Sequence, residues 1–226
     1  MFHINENAMV IRMMGGLGNQ MYQYAYGCYF EKMGIKVKHN LQWFNDNKDR
    51  RFVLNLFGCQ LNMTLESWSE SGDHGKYHYL KYTDPVKERL IREFTLDKEL
   101  RLSKNSVGIH VRRGDYVDHP RFPNLTMDYY NEALSIVRGD AHYIFSDDIP
   151  WCRENFPERF VFIDYPDYIC FDMLKRCNHK IIANSTFSWW AAYLGGGSVV
   201  APSRWFHDPA KQSRAINQLP GTWQII

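Results

Sequence analysis

The stretch SVGIHVRRGDYV, residues 106–117, decides how the chain is read. It begins as an apolar run of strand length and turns at once into two arginines, a glycine and an acid. A near-continuous apolar strand belongs to a parallel sheet covered on both faces. In open sheets of that kind, ligands sit in the crevice beyond the carboxyl ends of the strands. His110, Arg112, Arg113 and Asp115 therefore emerge where a ligand would lie. An arginine there offers a planar fork of donors matched to phosphate, and Asp115 can hold the fork in orientation. A surface Arg–Asp pair closing a loop carries the same letters, so the neighbouring segments have to decide.

Working outward, strand-like and helix-like segments alternate. AMVIRMM (8–14) is an apolar run closed by Gly15 and Gly16, and 19–33 has helical length and no proline. The segment Ile35-Lys36-Val37 follows, then a polar middle from 40 to about 75 in which ESWSESGDHGK reads as loop. DPVKERLIREF (84–94) predicts a helix started by Asp84 and Pro85, with Val86, Leu90, Ile91 and Phe94 at helical spacing. The second half predicts strands at 107–111, 142–145, 160–163, 180–183 and 198–201, with helices near 127–137, 168–177 and 188–194. Alternating βα units predict an α/β chain with parallel sheets. The two sets of units suggest two lobes, 1–103 and 104–226, with a boundary near 100–104.

Composition narrows the function classes. Lys plus Arg number 27 against 25 Asp plus Glu, a formal charge of +2, and no basic block is present. This argues against nucleic-acid binding through the phosphate backbone and predicts that any anion is bound locally. No apolar run approaches the ~20 residues that span a bilayer, and the start MFHINENAMV lacks the pattern of a signal peptide. The expectation is a soluble, cytoplasmic protein. Five cysteines without a CxxC pair suggest neither a disulfide framework nor a zinc site.

Three further segments bear on the arginines. In GGLGNQ (15–20) a strand-to-helix turn lets the backbone approach a ligand at a helix start, although it is not GxGxxG and lacks a P-loop lysine. FSDD (145–148) ends another strand, so Asp147 and Asp148 could accept hydrogen bonds from a base or ribose, bind a metal ion, or start the next helix. In IIANSTFSWW (181–190), Asn184, Ser185 and Thr186 are good N-caps, and the same geometry presents hydroxyls and amides to a phosphate.

Taken together, GGLGNQMYQYA, HVRRGDYV, FSDD and HKIIANSTFSWWAAYLG occur in the order seen in bacterial and viral α-1,2-fucosyltransferases, and PSRWF (202–206) resembles that family's closing segment. A looser likeness extends to the protein O-fucosyltransferases, which share the G-x-x-G-N-Q turn and the H-x-R strand end. The resemblance implies a GT-B-like fold of two Rossmann-type lobes with the active site in the cleft between them. It also implies inverting transfer of L-fucose from GDP-fucose to the 2-hydroxyl of a β-galactoside glycan in carbohydrate biosynthesis, with no cofactor and no metal. Peripheral contact with a lipid-linked glycan is compatible with this, and a nucleic-acid partner is not.

On that reading Arg112, Asn19 and Asp115 are the catalytic set. The donor-binding set is Gly16, Leu17, Gly18, His110, Arg113, Asp147, Asp148, Asn184, Ser185, Thr186 and Ser188. Departure of GDP develops negative charge on the β-phosphate, so fixed donors belong at the leaving group, and Arg112 fits. His110 is expected to be a packed, hydrogen-bonded support. Asp118 and His119 have the chemistry of a general base, as does Asp115 if no arginine engages it. Family members usually run longer. Here 57–77 is abridged, and HYLKY (78–82) replaces an aromatic-Gln-Ser motif, so the acceptor is less determined than the donor. Two rivals remain open: a protein that binds GDP-sugar with little or no turnover, and a metal-dependent transferase using Asp147 and Asp148.

Overall fold

Val107, Ile109 and Val111 alternate along one strand with Gly108 and His110, and each set meets its own helical layer. A computed structural model describes residues 8–67 and 78–226. The chain forms two compact units, the first ending at Leu96 and the second beginning at Asp97.

In the first unit, strands β1 (Met9–Arg12), β2 (Val37–Asn40) and β3 (Met63–Thr64) form a three-stranded parallel sheet in that order. Between β1 and β2 runs helix α1 (Leu17–Lys32), most of whose residues are buried. Strand β2 begins only at the last residue of the segment 35–37. Gly34 (φ +82°) and Ile35 are spent closing α1, with the Ile35 amide donating to the Phe30 carbonyl at 3.0 Å. The strand then runs through polar residues, of which His39 and Asn40 are buried. The polar middle is not all loop: it holds a turn of helix, α2 (Trp43–Asp46), a 3-10 turn (Leu54–Leu56) and β3. Most of ESWSESGDHGK lies outside the described residues, as do 68–77 of the abridged region. The helix expected at 84–94 is broken. A turn of helix, α3 (Leu80–Thr83), precedes a 3-10 turn at Asp84–Val86, and α4 (Lys87–Glu93) begins only after it, capped by Val86 rather than Asp84. Val86, Leu90 and Phe94 are buried, whereas Ile91 is 37% exposed.

The second unit adds, in chain order, β4 (Ser106–Val111), α5 (Met127–Ile136), β5 (Ala141–Ser146), α6 (Ile149–Asn155), β6 (Val161–Ile163), α7 (Asp167–Arg176), β7 (His179–Ile181), α8 (Thr186–Gly195), β8 (Ser198–Ala201), α9 (Pro209–Ile216) and β9 (Gln224–Ile225). The six strands are parallel in the order β6-β5-β4-β7-β8-β9. Counted from its own first strand this is 3-2-1-4-5-6, the doubly wound order, and its direction reverses between β4 and β7. The sequence did not announce α9 or the two-residue edge strand β9, which are short and polar.

All six residues of β4 are buried. Val107, Ile109 and Val111 join Tyr130, Ala133, Cys152 and Phe156 in one core layer with α5 and α6. On the opposite face α7 comes so near that a Cβ on Gly108 would stand 2.6 Å from Leu174 Cδ1 and 2.9 Å from Cys177 Sγ. Lys180, fully buried in β7, donates to the carbonyls of Cys177 and Gly196 and so ties together the ends of α7 and α8. The five cysteines are free thiols, four of them buried. No helix among the described residues is long and apolar enough to cross a membrane.

Gly108→Ala should therefore force α7 away from the sheet. Overpacking of this kind costs about 1–3 kcal/mol, and a lowered midpoint in urea unfolding is expected. An unchanged midpoint would mean that α7 is not held this close.

Candidate active site

The parallel register of β4 and β5 pairs Val111 with Ser146, so the next residues of each strand end, Arg112 with Asp147 and Arg113 with Asp148, fall side by side. Arg112 is gripped by two carboxylates: Nη1 lies 2.8 Å from Asp147 Oδ2, and Nη2 bonds Asp115 Oδ1. Its guanidinium stands 5.2 Å from the centre of the Tyr116 ring. A guanidinium carries five N–H donors in a fixed plane, so three remain after these two contacts. Arg113 turns the other way. Its Nε donates to Asp148 Oδ2 at 3.1 Å, and its plane lies 4.1 Å from the Trp151 ring centre.

The aspartates of FSDD thus hold the arginines of RRGD, and none of the base or ribose contacts expected of them is needed to explain their geometry. Asp147 accepts from the Arg113 amide at 2.9 Å through its other oxygen. Gly114 packs against this carboxylate so closely that any side chain there would overlap it. Asp148 Oδ1 accepts from the Trp151 amide at 3.1 Å, which is the helix-start role open to it in the sequence. Tyr116 and Trp151, which seat the two guanidiniums, were not anticipated. An aromatic residue two positions after RRG and another opening the next helix were the available signals.

Behind Arg112, His110 is 6% exposed, its ring 5.1 Å from that of Phe187. Burial, reinforced by the Arg112 charge, pushes its pKa down to about 3, so the imidazole is neutral. The expected hydrogen bond is not there: Nδ1 is buried without a partner among the described residues.

Across the switch point, β7 leads into the start of α8. Ser185 is the N-cap, its hydroxyl accepting from the Phe187 amide at 3.3 Å, and Thr186 opens the first turn. The first amides of a helix lie outside its internal ladder and favour an anion. Ser188 does not add to them. It is fully buried, with its hydroxyl donating to the carbonyls of Ala183 (3.2 Å) and Ser185 (3.4 Å), so its side chain is taken out of the donor-binding set. Asn184 is also structural in part: Nδ2 donates to the carbonyls of Pro123 (3.0 Å) and Trp205 (3.4 Å), while Oδ1 is buried without a partner.

After Arg113 a loop runs to α5. Tyr116 donates to the Asn184 carbonyl at 3.3 Å, and its ring stacks on Phe122 at 4.5 Å. On the same loop Asp118 is exposed, and His119 Nδ1 accepts from the Arg121 amide at 3.0 Å.

In the first unit, GGLGNQ forms the turn between β1 and α1. Gly15 has φ +79°, the left-handed region that favours glycine, and a Cβ on it would lie 2.9 Å from Asn19 Nδ2. Leu17 and Gly18 are buried, and Gly16 is partly exposed, as is Asn19. Gln20 is a structural keystone that the sequence did not single out. Its side chain donates to the carbonyls of Gly15 (2.9 Å) and Arg51 (2.8 Å) and accepts from the Val53 amide (3.0 Å).

The profile of glycosyl transferase family 11 matches residues 44–224. The α-1,2-colitosyltransferase of Escherichia coli is 28% identical over 288 residues, covering 96% of this chain and 98% of that protein. The O-antigen biosynthesis glycosyltransferase WbnK of Escherichia coli is 38% identical over 119 residues, 45% of this chain and 39% of its own length. The human galactoside α-(1,2)-fucosyltransferase 1 is 30% identical over 147 residues, 51% of this chain and 40% of its own length. Among solved structures, the fucosyltransferase NodZ from Bradyrhizobium is similar at a TM-score of 0.44 and 10% identity, over 81% of this chain and 91% of that one. The family match extends over both units, from α2 to β9, and includes the RRGD, FSDD and NSTFS segments that meet at the switch point. The chain belongs to glycosyl transferase family 11.

Proposed function

We propose that the protein transfers L-fucose from GDP-fucose to the 2-hydroxyl of a galactoside, with inversion and without a metal ion. The observation that carries this reading is the convergence at one switch point of an oriented arginine and a helix start. Arg112 leaves β4 with its plane fixed by Asp115 and Asp147 and with three donors uncommitted. The first turn of α8 follows β7, the strand next to β4 in the sheet. Both features suit the negative charge that grows on a departing β-phosphate, and donors set in place beforehand need no reorganisation at the moment of reaction.

The neutral His110 adds no charge to such a site. Its unpartnered Nδ1 suits an uncharged group of the donor, the base or the sugar, better than the pyrophosphate. Asp147 and Asp148 are each occupied by an arginine, which favours metal-independent chemistry over the rival that uses them as metal ligands. Asn19, at the G-x-x-G-N-Q turn, is assigned a part in placing fucose or the acceptor hydroxyl.

Two parts of the reading are finer than the family. The relative that matches over nearly its whole length is named for colitose rather than fucose, so GDP-linked colitose is the second donor to assay. That alignment, at 288 residues, is longer than this 226-residue chain, so the relative has internal segments absent here. The galactoside acceptor is therefore the part of the proposal that a panel of oligosaccharides has to define.

GDP and GDP-fucose are expected to raise the melting temperature, and UDP and ADP to do so much less. Equal stabilisation by all of them would refute guanine selectivity. Arg112→Lys keeps one charge and loses the planar fork. Removal of one well-placed charge-stabilising donor costs on the order of a hundredfold in rate, and kcat for transfer from GDP-fucose should fall that far while the fold is retained. Near-normal turnover would place the pyrophosphate elsewhere. Asn19→Ala should lower transfer strongly and leave GDP affinity within a few-fold; unchanged transfer would make GGLGNQ a structural turn only.

A further inference from the structure

Displacement at an anomeric carbon needs a proton acceptor for the attacking hydroxyl, and three side chains on the loop that follows Arg112 have that chemistry: Asp115, Asp118 and His119. Asp115 is bonded to Arg112, where its carboxylate serves to orient the fork. His119 is excluded by its tautomer. Nδ1 accepts the Arg121 amide, so the proton of the neutral ring sits on Nε2, and that nitrogen donates rather than accepts. Asp147 and Asp148, the other carboxylates of the cluster, each hold an arginine. Asp118 alone is left: it is exposed, and no hydrogen bond or ion pair engages its carboxylate among the described residues.

The backbone at Asp118 adds an independent argument. The Tyr116 carbonyl accepts from the His119 amide at 3.2 Å, Val117 has φ −61° and ψ 123°, and Asp118 has φ +56°. This is a type II turn with Asp118 at its third position, where positive φ makes glycine or asparagine the favoured residue. Asp118 is the only non-glycine residue with positive φ among the described residues. Aspartate is one of the few side chains besides asparagine that tolerates this conformation, so the turn presents a carboxylate at a fixed, exposed position that no described contact engages.

The loop that carries the turn is packed at several points: Tyr116 and Phe122 stack on each other, Phe206 packs on Phe122 at 5.4 Å, and the Arg121 carbonyl accepts from the His207 amide at 3.0 Å. Tyr116, two residues before Asp118, also lies under the Arg112 guanidinium. The titratable and charged groups around the turn are Arg112, Asp115, Tyr116, His119, Arg121 and His207. Burial pushes Tyr116 up to about 12, so its hydroxyl stays protonated and is not a competing base.

We propose that Asp118 is the general base of the transfer. Its carboxylate takes the proton of the acceptor hydroxyl as that oxygen bonds to the anomeric carbon. The bond from that carbon to the β-phosphate oxygen breaks, and its electron pair leaves on GDP beside Arg112. The proton then passes from the exposed Asp118 to water. This rests on the reading of the protein as a GDP-sugar-dependent transferase.

The test is Asp118→Asn, which keeps the preference for positive φ and removes the proton acceptor, with Asp118→Gly as a second variant. General-base catalysis contributes 10²–10⁴-fold, so kcat for transfer should fall by about a hundredfold or more in both variants. GDP affinity should be unchanged, and the melting temperature equal to or above that of the wild type. A merely structural Asp118 would give the opposite pattern, with stability and activity falling together. Transfer at the wild-type rate in Asp118→Asn, or GDP affinity falling in step with kcat, would overturn the assignment while leaving the function intact. A wild-type protein that transfers neither fucose nor colitose from GDP would overturn the function and this inference with it.

Discussion

The planar fork of Arg112, gripped between Asp115 and Asp147 at the end of β4, is the contact that the rest of the second unit is arranged to produce. Three things have to be true for it to exist. Strand β4 must lie inside the sheet so that its end is fixed, which its six buried residues and its pairing to both β5 and β7 accomplish. The registers of β4 and β5 must match, so that Asp147 arrives beside Arg112. Residue 114 must be glycine, because any side chain there would displace the Asp147 carboxylate. Two of these are properties of the sheet and one of a single residue. A doubly wound topology and a charged loop are thus one device: the sheet sets the position of the arginine and the loop sets its orientation.

The charge balance of the cluster is informative. Two guanidiniums meet three carboxylates, Asp115, Asp147 and Asp148, so the cluster alone does not act as a basic patch. Its contribution to an anion is directional: three remaining N–H groups on a plane that cannot rotate freely. The amides at the start of α8 supply the rest of the field without adding a charged side chain. On the proposed reading, a chain with a net charge of only +2 would bind a highly charged leaving group through the geometry of these donors rather than through bulk attraction.

The sequence made the fold legible wherever apolar spacing was the cause of structure. Strand β4 and helix α5 lie close to where their patterns put them, because burial there follows the apolar period. Strand β2 was not legible because, after Val37, its residues are polar, and its position is set by closure of α1 at Gly34 and by pairing with β1. Helix α4 starts late because Pro85 is accommodated in a 3-10 turn. At the site, the arginines and the N-cap of α8 were readable from residue type and spacing. The pairing of Asp147 with Arg112 was not, since it spans 35 positions and appears only once the register is known. Ser188 was misjudged for a related reason: a hydroxyl near a helix start can face the ligand or its own backbone, and here it faces the carbonyls of Ala183 and Ser185.

The central claim is that Arg112 receives the β-phosphate of the donor nucleotide. Comparing the affinities of GDP and GMP by titration calorimetry, in the wild type and in Arg112→Ala, isolates that phosphate. The account predicts that the wild type prefers GDP by about tenfold or more, the ~1.4 kcal/mol or greater expected of a charge-assisted contact, and that Arg112→Ala loses most of the preference while binding GMP as before. A preference for GDP that survives in Arg112→Ala would contradict it.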